Sequence, residues 1–159
     1  MSSGAFVLYD DQIDRINAAM LRLIKKAEAK CALLVDKDGH LITRQGFTQS
    51  LDTTALSALL AGSFASTREI ARLVGEPEFS VLFHQGKRDH IHISLVGDRC
   101  ILAIVFDDRT TIGMVRLYAK DAADRLKELI STSAQRQAEL DPDFAATAGA
   151  KIDSMFTES

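Results

Sequence analysis

The chain has 159 residues, of which 47% are hydrophobic, 26% charged and 6% aromatic, with no tryptophan. This length suits one domain able to bury about two thirds of its unfolded surface. A mean hydropathy of +0.02 excludes a disordered chain and a membrane bundle. The formal charge of −3 lies in residues 141–159, where Asp141, Asp143, Asp153 and Glu158 outnumber Lys151, so the neutral remainder carries no electrostatic footprint for nucleic acid.

Few aromatics also argue against a base-stacking surface, and an acidic end is repelled by anionic lipid. No charge-free run approaches the roughly 20 residues of a spanning helix. The first ten residues, Met-Ser-Ser-Gly-Ala-Phe-Val-Leu-Tyr-Asp, hold no basic region and too short an apolar stretch for a signal peptide. A cytoplasmic protein is expected.

Residues 10–29 are predicted to form a helix, with Ile13, Ile16, Met20, Leu23, Ile24 and Ala27 as one apolar stripe and Asp10 or Asp11 as cap. A buried strand follows over residues 31–36. Asp38-Gly39 then signals a hairpin into a second strand, Leu41 to Gln45. Cys31 and Cys100 sit inside apolar runs, where free cysteine acts as a small hydrophobe; a disulfide would need a secreted context.

Asp52 is a natural cap for a second helix running to about Val74, which Gly75 and Pro77 end. Three strands are expected next: Phe79 to Gln85, His90 to Val96, and Arg99 to Phe106, the last two joined by a Gly97-Asp98 turn. Cys100 to Phe106 is apolar throughout, which predicts a central strand covered on both faces. A third helix spans about Thr111 to Gln137, with Ile112, Val115, Ala119, Ala122, Leu126, Leu129 and Ile130 as its stripe.

The predicted domain covers residues 5–140. Asp141-Pro142-Asp143 breaks the pattern, and residues 141–150 are expected to form a mobile linker. Ile152, Met155 and Phe156 then recur at i, i+3 and i+4. This single turn is too short to be stable alone. It is either a frayed end or a short helix that docks on a partner. Tight links between successive strands predict a five-stranded antiparallel sheet with helices on both faces.

A helical wheel places Leu56, Leu59, Leu60, Ser63, Thr67, Ile70, Ala71 and Val74 of the second helix towards the sheet. Ala58, Ala61, Gly62 and Ala65 lie opposite, with Arg68, Glu69 and Arg72 below them. Small residues let another backbone approach, a geometry borrowed here from membrane helices. Alanine is also simply a good helix former, although Gly62 costs about 1 kcal/mol in a helix interior. The small face predicts a packed interface.

The one catalytic-looking group is His84, His90 and His92. His90 and His92 share a strand face. A two-residue loop at Lys87-Arg88 puts His84 opposite Ile91 and on the other face. A three-residue loop would bring His84 to His90 and permit a three-histidine metal site. No phosphate-binding glycine loop and no Gly-x-Ser-x-Gly elbow occurs. The chain therefore looks like an interaction module without a catalytic, metal or cofactor site of its own.

Several stretches in this order resemble the Roadblock family of dynein light-chain-like modules, most of all its bacterial MglB type. They are Leu33-Leu-Val-Asp-Lys-Asp-Gly39, Leu51-Asp-Thr-Thr54, Leu59-Leu-Ala-Gly62 and Leu73-Val-Gly-Glu76, then Phe83-His-Gln-Gly86, Val105-Phe-Asp-Asp-Arg-Thr-Thr111 and Gly113-Met-Val-Arg-Leu117. The resemblance covers about residues 5–140, and Ile152 to Phe156 is also similar to the end of some members.

The resemblance implies an α+β sandwich of order αββαβββα, related to profilin, with one helix on one face and two on the other. It implies a homodimer whose third strands pair, carrying Phe79, Val81, Phe83 and Gln85, and whose second helices lie side by side. It implies that two protomers seat one Ras-like small GTPase of the MglA type through Ala58, Ala61, Gly62, Ala65, Arg68, Glu69 and Arg72. Ile152, Met155 and Phe156 would reach the same GTPase. The implied action is stimulation of GTP hydrolysis by reshaping the switch loops, without an inserted arginine, in bacterial cell polarity and gliding motility. A scaffold that binds a GTPase without stimulating it, and a metal-dependent enzyme at the histidines, are the alternatives.

Overall fold

The computed structural model describes residues 8–140, with only the helical backbone of Ala134 and of residues 136–140. The expected linker and docking turn lie outside the described residues. Eight elements follow in the expected order: α1 (Asp10–Ala27), β1 (Cys31–Asp36), β2 (Leu41–Gly46), α2 (Thr53–Leu73), β3 (Val81–Gln85), β4 (His90–Val96), β5 (Cys100–Phe106) and α3 (Ile112–Leu140).

The strands form one antiparallel sheet in the order β2-β1-β5-β4-β3. All seven residues of β5 are buried, as expected of an all-apolar strand at the centre of a sheet covered on both faces. Strand alternation then divides the core in two. Ala32, Leu34, Leu102, Ile104 and Phe106 point to one face and pack with Ile16, Met20 and Leu23 of α1 and Val115, Ala119 and Leu126 of α3. Leu33, Val35, Ile93, Ile101 and Ala103 point to the other and pack with Leu60 and Phe64 of α2. One helix on one face and two on the other is the α+β architecture the sequence led us to expect.

Turn chemistry closes the β1–β2 hairpin. The Asp36 carboxylate accepts from the backbone N–H groups of Asp38 and His40, at 3.0 and 2.9 Å, and Gly39 takes φ +92°. A Cβ there would come within 3.0 Å of the Ala58 Cα. At the start of α2 the Ala55 N–H donates to the Asp52 carboxylate at 3.0 Å, a cap contributing about 1 kcal/mol.

Four local expectations need correction. Tyr9, not Asp10 or Asp11, occupies the α1 cap position; the two aspartates fall in the first turn, where negative charge complements the helix dipole. β3 begins at Val81, so Phe79 precedes the strand. The β4–β5 turn holds Gly97, Asp98 and Arg99, because Val96 pairs with Cys100; Gly97 opens it at φ +63°, a conformation glycine adopts without steric cost. α3 continues to Leu140. Among the described residues no helix is long and apolar enough to cross a membrane.

Candidate functional site

The candidate surface is built from α2 and the edge strand β3. Thr53, Ser57, Leu60, Phe64, Thr67 and Ala71 form the buried side of α2. The hydroxyls of Ser57 and Thr67 donate to the carbonyls of Thr53 and Ser63, four residues back, at 2.6 and 2.7 Å. Their polar atoms are thereby satisfied within the helix, and the buried side can lie on an apolar sheet.

This buried side shares Leu60, Thr67 and Ala71 with the expected one but is rotated from it by less than one residue's turn. Leu59, Ile70 and Val74, expected to face the sheet, are 69%, 54% and 64% exposed, and Leu73 is 79% exposed. With Ser63 and Ser66, the residues Leu59, Ile70 and Leu73 are spaced 4-3-4-3 along one flank. That is the repeat with which helices pack side by side. Phe64, absent from the expected sheet-facing set, is only 6% exposed, and its large buried ring fixes the rotation of α2 on the sheet.

The small residues separate into three environments. Ala58 and Gly62 line a groove of about 540 Å³ with Ser66 of α2 and Leu82 and His84 of β3. Ala61 is half-buried, its Cβ 3.6 Å from where a Gly39 Cβ would lie; its small size serves the β1–β2 turn as well. Ala65 is exposed. Among the described residues a Cβ at Gly62 would meet nothing within 4 Å, so no steric contact with them requires that glycine.

The charged residues of α2 are exposed and held locally. Arg72 donates to the Glu69 carboxylate at 2.9 Å, and Arg68 lies 3.6 Å from Glu78. Among the described residues β3 pairs only with β4. Val81, Phe83 and Gln85 are exposed on its α1/α3 side and Phe79 is half-buried beside it. Phe83 stacks on Phe106 with centroids 6.0 Å apart.

The histidines do not converge. His84 pairs with Ile91 and Gln85 with His90, the register of a two-residue loop. His84 therefore lies on the α2 face, while His90 and His92 lie on the other. The Gly86 N–H donates to His90 Nδ1 at 3.2 Å, so Nε2 carries the proton and donates to Asp108 at 3.1 Å. His92 is 1% exposed, and among the described residues neither ring nitrogen has a hydrogen-bond partner. Burial, and to a lesser degree Arg116, lowers its pKa. Three rings on two faces cannot share one ion, which removes the metal-enzyme alternative at this cluster.

The two cysteines are free and buried. Burial raises the Cys31 thiol to about 11 and Cys100 to about 12. Both stay protonated at neutral pH and fill core space, as expected of small hydrophobes.

Residues 16–106 match the Roadblock/LC7 domain. MglB of Myxococcus xanthus is 45% identical, with a TM-score of 0.72 over 74% of this chain and 96% of that one. The gliding protein MglB of Thermus thermophilus is 27% identical, with a TM-score of 0.76 over 80% of this chain and 97% of that one. Profilin IB of Acanthamoeba castellanii, at 14% identity and a TM-score of 0.55 over 70% of this chain and 96% of that one, shares the fold alone. With this sheet order, these helix layers and this identity, the chain belongs to the Roadblock/LC7 family and closely matches MglB in structure.

Proposed function

We propose that the protein is a homodimeric regulator of a Ras-like small GTPase of the MglA type, stimulating GTP hydrolysis by reshaping the GTPase's switch loops. The observation that carries this reading is the coincidence of three features on one side of the molecule. They are a β3 edge unpaired among the described residues, an exposed Leu59-Ile70-Leu73 flank, and a glycine-alanine helix face whose Gly62 no steric contact among those residues requires. Pairing of two β3 edges would extend the sheet and protect its open strand. The same pairing would bring the two α2 flanks together and bury their leucines, leaving one broad two-helix layer as the seat for the GTPase. Ala58, Gly62 and Ala65 would let its backbone approach closely, with Arg68, Glu69 and Arg72 as rim contacts.

The regulator would supply no catalytic residue of its own. Arg72 is tied to Glu69 at 2.9 Å, a position suited to a contact rather than an inserted finger. Ile152, Met155 and Phe156 would add a second contact to the GTPase. The reading extends to control of cell polarity and gliding motility in a bacterial cytoplasm.

The test is to mix the protein with each Ras-like GTPase of its own genome and score complex formation and phosphate release. Ala65→Arg, at an exposed position, is expected to fold normally and abolish both. Arg72→Ala is expected to keep most of the stimulation. A loss of about 10³-fold would identify an arginine finger instead. Complexes without faster phosphate release would establish the scaffold. In the regulator, deletion of residues 141–159 alters the stimulation.

A further inference from the structure

A second concave surface lies on the opposite face of the sheet from α2, between α1 and α3. It encloses about 370 Å³. Leu23, Tyr118 and Ala122 line its apolar part, and Arg15, Arg22, Lys26 and Arg125 supply four cations against the single carboxylate of Asp121. Lys26 Nζ stands 5.9 Å from the centroid of the Tyr118 ring. We propose that this groove is the resting seat of the chain's own acidic segment, residues 141–159, bound within the same protomer.

Charge, apolar pattern and reach each support the match. The lining carries a surplus of three positive charges; the segment, with Asp141, Asp143, Asp153 and Glu158 against Lys151, carries a surplus of three negative ones. Ile152, Met155 and Phe156 recur at i, i+3 and i+4, a spacing that would give a single helical turn one apolar edge, and such a turn needs a surface to fold against. An apolar floor between basic rims suits an acidic segment with one apolar edge. A concave slot also admits a segment better than the flat plane of a lipid surface.

Reach is sufficient. From Arg125 to Leu140, α3 rises about 22 Å at 1.5 Å per residue. Residues 141–152 can span up to about 40 Å when extended, so Ile152 can return to the level of Arg125. Arg125 now meets Glu128 at 3.4 Å, through exposed side chains. An exposed pair of this kind contributes little and is readily exchanged for a carboxylate of the segment.

The experiment uses the full chain without any GTPase, so its outcome is independent of the functional reading above. Both native cysteines are buried, so Thr157→Cys offers a single reactive thiol for a nitroxide spin label. The expected result is loss of amide signal at Ala18, Leu23 and Ala122, with the signals of α2 and β3 unchanged. The loss should disappear in an Arg22→Glu, Arg125→Glu variant whose sheet signals are otherwise unaltered. In the unaltered sequence it should fade as salt rises from about 0.1 M to about 1 M, which shortens the screening length from ~10 Å to ~3 Å. Absence of broadening, broadening centred on α2 or β3, or persistence through both charge reversal and salt would overturn the proposal. So would broadening seen only between tagged and untagged copies, since that places the segment on a second molecule.

Discussion

β5 and β3 are both short and rich in large apolar side chains, yet the fold gives them opposite fates. Cys100 to Phe106 is buried at every position, between two strands and two helix layers. Val81 to Gln85 has one paired edge and only Leu82 half-buried. The difference shows that apolar content alone does not place a strand in the core. A strand at the end of the sheet order, with one paired edge among the described residues, leaves most of its side chains exposed. Leu59 of the exposed α2 flank lies beside that same edge, in one groove with Leu82 and His84.

The contrast can be broken most severely at the centre. Leu102 is fully buried, and Leu102→Ala is expected to lower unfolding free energy by about 2–5 kcal/mol, read by chemical denaturation. At the open side, Leu59→Glu combined with Leu73→Glu removes no buried contact. The pair should leave the fold intact and weaken self-association at least about 100-fold, or ~2.7 kcal/mol, read by sedimentation. If both copies still associate with unaltered affinity, the leucine flank is not the interface.

The smallest expected effect lies beneath α3. His92 has a pKa below that of the unfolded chain, so between those two values the unfolded state binds more protons. Its contribution to stability is therefore lost as pH falls below about 6.5. His92→Leu replaces two unsatisfied ring nitrogens with hydrocarbon. It should raise stability by about 1 kcal/mol near pH 5 and flatten the slope between pH 5 and 7. A slope unchanged in the variant would assign the pH dependence to another group.

Much of the frame is legible in local chemistry. The Asp52 cap, the Asp38-Gly39 turn and the all-apolar run from Cys100 to Phe106 each require only neighbours in sequence to be interpreted. The candidate site is less legible. Leu59, Ile70 and Val74 have the composition of core residues, and only the seating of Phe64 on the sheet turns them outward. Ala61 reads as part of a bare docking face until the β1–β2 turn is seen to approach it at Gly39. The histidine cluster was decidable only from the β3–β4 register, since a shift of one residue moves His84 to the other face.

Sequence alone therefore determined the order of the elements, the central place of β5, the packing role of both cysteines and the resemblance to the Roadblock family. These follow from periodicity, caps, turns and residue order, which act over a few positions at a time. Tertiary structure decided which side of α2 is buried, which of the small residues are free, that the histidines part, and that four cations from α1 and α3 share one groove. Each depends on how separate elements are rotated and registered against one another, and that is set by the packing of side chains distant in sequence.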